Sequence, residues 1–106
     1  MPYFLLLYET ADNYAEKRAP FRAEHLALAR EAHARGELLL AGALADPMDR
    51  AVLVFRTADR STVEAFARRD PYVLNGAIKK WDVRPWTVVI GNDPSEPAPT
   101  PPPAGR

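Results

Sequence analysis

The chain has 106 residues, no cysteine, and fourteen basic residues balanced by fourteen acidic ones. That is one domain's worth of chain, without disulfides or thiolate chemistry and without the basic footprint of a nucleic-acid binder. The longest apolar run, LLLAGALA at 38–45, is too short to cross a bilayer, and MPYFLLLYE lacks the basic n-region of a signal peptide, so a soluble cytoplasmic protein with no membrane contact is expected.

Residues 3–9, YFLLLYE, are short, apolar and aromatic and predict a strand. TADNYAEKRA reads as a polar loop with at most one helical turn. Pro20 suits the first position of a helix that runs to about Arg35, with Gly36 as its C′ residue. On that helix Phe21, His25, Leu28, Ala29 and Ala32 fall on one face. ELLLAGAL (37–44) predicts a second strand, weakened or bulged at Gly42. After an Asp-Pro turn, RAVLVFRT (50–57) predicts a third. Ser61 and Glu64 have capping-box spacing at the start of a second helix, which ends near Arg69. DPYVLNG (70–76) holds a further helical turn, and IKKWDVRPWTVVIG (78–91) predicts a last strand with a break at Pro85. The order β-α-β-β-α-β is the ferredoxin-like pattern of an α+β fold: an antiparallel sheet with two helices on one face. This domain covers 1–91. Residues 92–106 hold six of the eleven prolines and predict an extended, disordered tail. PTPPP within it also has the composition of a polyproline II ligand.

All three of the first strands are apolar in both phases of the alternation, with Tyr3, Leu5 and Leu7 against Phe4, Leu6 and Tyr8 in the first. A sheet with one wet face alternates apolar and polar. Two helices cover only one face, so a second copy of the sheet is expected on the other, as a C2 homodimer.

Chemistry-bearing residues are few. His33 follows His25 by eight residues, which is not the spacing of a helical metal pair, and no Cys/His cluster or glycine-rich phosphate cradle is present. Neither a metal nor a cofactor is expected. His25 lies near the centre of the apolar stripe. It reads either as a core histidine with one hydrogen bond or as a general base, which needs an orienting acceptor on its other ring nitrogen. Asp70 before Pro71 is the usual grammar of a helix start. Arg18 and Arg22 fall on the His25 side of the helix, placed to bind a carboxylate or to snorkel to solvent. Tyr72, Trp81 and Trp86 are candidates for a pocket wall or for plain core.

In RAEHL (22–26), GELLLAGAL (36–44), DPY (70–72) and VRPW (83–86), the chain resembles the YCII-related family of small dimeric α+β-barrel proteins. The resemblance runs over about residues 3–90. It implies that His25 of the R-x-x-H-L motif and Asp70 of D-P-Y form an acid/base dyad in a pocket between helix and sheet near the dimer interface. Gly42-Ala43-Leu44 departs from the family's frequent Gly-Pro-Leu. Under this resemblance the expected function is a cofactor-free enzyme that isomerises, hydrolyses or eliminates from a small unsaturated or carbonyl compound of lactone or muconate type. Arg22 or Arg18 would hold a carboxylate, and Tyr8, Tyr72 and Trp86 would shape the pocket. The alternative is a small-ligand-binding or interaction module that turns nothing over. A cofactor-free monooxygenase is a third reading that no residue here selects.

Overall fold

The computed structural model describes residues 1–91, and the expectation of a proline-rich tail at 92–106 lies outside the described residues. Strand β1 (Tyr3–Thr10) alternates strictly: Phe4, Leu6, Tyr8 and Thr10 are buried, and Tyr3, Leu5, Leu7 and Glu9 are half-buried. It runs between β3 (Arg50–Arg56) and β4 (Ile78–Trp86), antiparallel to both, and β2 (Leu38–Ala43) pairs with the other side of β3. The strand order is therefore β2-β3-β1-β4. The described residues also form four α-helices: α1 (Tyr14–Arg18), α2 (Arg22–Ala34), α3 (Arg60–Arg69) and the single turn α4 (Pro71–Leu74). The ferredoxin-like α+β fold expected from the sequence is borne out.

The core lies between helices and sheet. Leu6, Leu53, Phe55 and Val83 from the sheet meet Leu28, Ala32, Val63 and Phe66 from the helices. Each large apolar side chain so buried contributes about 1.5–3 kcal/mol. Phe55 and Phe66 meet edge-on at a ring distance of 5.3 Å. No helix among the described residues is long and apolar enough to cross a membrane.

Four local expectations need correction. Pro20 sits in a 3₁₀ turn (Ala19–Phe21) that joins α1 to α2, so helical structure begins at Tyr14 instead of at Pro20. The irregularity in β2 falls between Leu38 and Leu40, whereas Gly42 pairs in register with Val52. Helix α3 starts at Arg60 after Asp59, with no side-chain cap. Ser61 is thus already inside the helix, and Glu64 faces Arg60 one turn back (3.7 Å) in place of a capping box. Strand β4 keeps register through Pro85 and ends at Trp86, because Trp86 is opposite Tyr3, the first residue of β1. Pro85 is accommodated because β4 is an edge strand. The one irregularity on this side lies between Glu9 and Thr10.

Candidate active site

Asp70 is the hub. The residue before a proline favours extended backbone, and Asp70 has φ −67° and ψ 120°, which turns the chain from the end of α3 into α4. As N-cap of α4 its Oδ1 accepts the Tyr72 N–H at 2.9 Å. The same oxygen lies 2.8 Å from His25 Nδ1, and Oδ2 accepts the Tyr8 hydroxyl at 2.6 Å. The carboxylate has no solvent exposure. Three donors from three elements compensate the cost of burying it, the arrangement a buried charge requires.

Helix α2 presents His25 to this carboxylate. With the Asp70 carboxylate as acceptor, Nδ1 carries a proton, and in the neutral imidazole Nε2 then has the lone pair. Nε2 has no hydrogen-bond partner among the described residues. The imidazole stacks on the Tyr72 ring with centroids 3.8 Å apart and planes 7° from parallel. Its side chain is 13% exposed, and it lines a cavity of about 200 Å³ between α2 and the sheet. Tyr8, Tyr72, Arg18 and Arg22 line that cavity too. Trp86 does not. It lies on the opposite face of the sheet, edge-on to Tyr3 at 6.5 Å and 46% exposed. The reason is parity: Trp81 and Val83 share the helix-side phase of β4, and Trp86 has the other.

Tyr14 was missed by sequence reasoning, which put it in a loop. It is buried, lines the cavity and meets Tyr72 edge-on at 6.0 Å, with the Arg18 guanidinium 5.0 Å above its ring. A signal was present. Tyr14, Arg18 and Arg22 are spaced four apart and lead on to Leu26, a single helical stripe once Pro20 is read as joining two helical segments. Small residues of β2, Ala41 to Ala43, floor the cavity.

Tyr8 and Tyr72 keep their phenol protons. Burial first, and then the Asp70 carboxylate, push the Tyr8 phenol far above its usual value. Tyr72 is raised by burial and by Tyr14, with Arg22 and Arg18 pulling the other way. His33, the other histidine, is structural: its Nδ1 lies 2.8 Å from the Leu38 carbonyl and ties the end of α2 to β2.

The model of the YCII-related domain matches residues 1–87. The chain belongs to the YCII-related family. No curated protein matches it. Among solved structures, this YCII-related chain is similar to 5-chloro-2-hydroxyhydroquinone dehydrochlorinase from Burkholderia phenoliruptrix AC1100, solved in complex with 2,5-dihydroxybenzoquinone. The TM-score is 0.68 at 18% identity, covering 80% of this chain and 93% of that one. At that identity the likeness is one of fold.

Proposed function

We propose that this YCII-related protein is a small-molecule enzyme in which His25 and Asp70 act as an acid/base dyad. The observation that carries the reading is the geometry around His25. One ring nitrogen is held 2.8 Å from a fully buried carboxylate, and the ring lines an open cavity with the other nitrogen unpartnered among the described residues. A core histidine held only for stability has no need of such a cavity.

In this reading His25 Nε2 removes a proton from a carbon made acidic by a neighbouring carbonyl. Asp70 stabilises the imidazolium that forms and keeps its orientation. The proton then returns at another carbon, which isomerises the substrate, or a leaving group departs with the electron pair, which is an elimination. For a lactone the same base takes a proton from water, whose oxygen attacks the carbonyl; the ring C–O bond then breaks and the imidazolium returns the proton to the departing alkoxide. A placed histidine supplies about 10²–10⁴-fold, enough for activated substrates. No cofactor is needed. The structural neighbour is named a dehydrochlorinase and holds a dihydroxybenzoquinone, an unsaturated ring carbonyl, which falls within this substrate class. Arg18 and Arg22 stand at the cavity to hold a negative charge. We further propose that the active form is a homodimer joined through the sheet face that the helices leave open.

The test is a thermal-shift screen of small unsaturated acids, lactones and quinones, followed by turnover assays on the hits. The expected result is a compound that both stabilises the protein and is converted, with a His25→Ala variant that stays folded at the assay temperature, although its melting temperature falls with the lost Asp70 donor, and that loses conversion. Compounds that stabilise both forms and are converted by neither make the protein a binding module instead.

A further inference from the structure

The Tyr72 hydroxyl is buried, yet it makes no hydrogen bond of good geometry among the described residues, and the one polar side chain that approaches it as a hydrogen-bonding group is Arg22. Such groups are rare in native proteins and each calls for an explanation. Its surroundings supply one. The groups that act on it are Tyr14, Arg22 and Arg18, and an arginine carries donors only. Whatever Arg22 does, the Tyr72 O–H finds no acceptor. Neither Arg18 nor Arg22 has a carboxylate partner among the described residues, and Arg18 rests on the Tyr14 ring instead. All of these residues line the same cavity as His25. Two cations and an unused donor with no facing acceptor make a cluster short of an anionic oxygen.

We infer that the Tyr72 hydroxyl, with the guanidinium groups of Arg22 and Arg18, is the anion pole of the cavity and takes an anionic oxygen of the ligand. This deepens the proposed reading of the cavity as the ligand site by fixing the ligand's charge, size and orientation. The charge is a carboxylate, enolate or phenolate oxygen. The size follows from the cavity of about 200 Å³, since an engineered cavity of about 150 Å³ holds one benzene: one six-membered ring, or an open chain of similar bulk, with few substituents. The orientation follows from the stack of Tyr72 on His25, 3.8 Å between centroids. Both side chains serve the same small ligand, so its anionic end lies toward α1 and its reacting carbon lies by the imidazole. Arg22 is exposed, and rotation of its side chain admits the ligand oxygen to the hydroxyl.

Tyr72→Phe removes the hydroxyl while keeping the ring stack and the backbone N–H that Asp70 accepts. The probe is benzoate, with benzamide as its neutral counterpart, titrated calorimetrically against the full chain. The wild type binds benzoate and discriminates against benzamide. Tyr72→Phe binds benzoate roughly 10- to 100-fold more weakly, the loss expected for a hydrogen bond to a charged group. Without ligand its melting temperature is equal to or above that of the wild type, because an unpartnered buried donor has been removed. A hydroxyl held for structure would give the opposite shift. The proposal is overturned if benzoate and benzamide bind alike, if Tyr72→Phe binds benzoate as the wild type does, or if that variant loses stability. Benzoate binding is separate from catalysis: a wild type that binds benzoate over benzamide and turns no compound over keeps the anion pole and overturns only the acid/base reading.

Discussion

Asp70 accepts hydrogen bonds from β1, α2 and α4 at once, so no one of these elements can shift without unsettling a buried charge. The donor from β1 is the easiest to remove cleanly. Tyr8→Phe keeps the ring in the core and leaves Oδ2 without its hydroxyl, a loss of about 2 kcal/mol, or roughly 10 °C in melting temperature, at pH 7. The pH dependence follows from the raised phenol. The folded chain holds a proton that the unfolded chain releases above the usual phenol value of 10.0. This contribution to stability is intact below about pH 10 and is lost as the pH climbs past it. Tyr72, raised in the same direction, adds to the loss. Urea unfolding at pH 8, 10 and 11 checks this: the wild type weakens more steeply than Tyr8→Phe above pH 10, and parallel curves would contradict the assignment. At this scale much of the candidate site was legible. His25 sits on a stripe that must face the sheet, and a polar group there demands a partner. The partner's identity was not legible from that stripe, because Asp70 is 45 residues away and its local grammar is that of an ordinary helix cap. It is a cap, and the same oxygen faces the histidine.

Element by element, the strands and helices follow from patterns that burial enforces: period two in β1 and β3, and apolar residues spaced three and four apart in α2. Two of the misplacements share a cause. In β4 and α3 the boundary is decided by a neighbour distant in sequence. Strand β4 stops at Trp86 because β1 begins at Tyr3, although Val88 to Ile90 continue the strand pattern. Arg60 donates to the Val83 carbonyl at 2.6 Å, which anchors the first turn of α3 to β4 and sets its start earlier than the Ser61–Glu64 spacing implied. The end of α2 was legible because its signal is local. Gly36 has φ 80°, its N–H meets the His33 carbonyl at 2.9 Å, and the Glu37 N–H reaches back to Ala32 at 3.1 Å. A Cβ at Gly36 would touch nothing within 4 Å, so the cost of Gly36→Ala is purely conformational. The left-handed backbone costs an L residue about 1–2 kcal/mol, offset in part by a stiffer unfolded chain. The net expectation is about 1 kcal/mol of destabilisation, read from the urea midpoint with an unchanged slope. A variant as stable as the wild type would mean that the turn relaxes out of the left-handed region.

For the molecule as a whole, the unexplained surface is the sheet face away from the helices. Leu40, Val54 and Leu5 sit side by side across β2, β3 and β1, and Val52 with Leu7 forms the next row. Leu40 is 71% exposed, and Tyr3 and Trp86 flank the rows at one end. Nothing among the described residues covers this face. Contiguous exposed apolar patches commonly mark interaction sites, and the proposed self-association of this face would close by a two-fold axis. Arg84 beside Leu5 and Asp82 beside Leu7 carry opposite charges on the same face, so a two-fold partner can oppose each to its complement. The expectation is that the wild type sediments as a dimer at micromolar concentration. Val54→Glu places a charge in the middle of the patch but outside the helix-side core, so it sediments as a monomer with an unchanged far-UV spectrum. A wild type that sediments as a monomer removes the dimer. A Val54→Glu variant that stays dimeric moves the interface elsewhere and leaves the open face without its proposed partner.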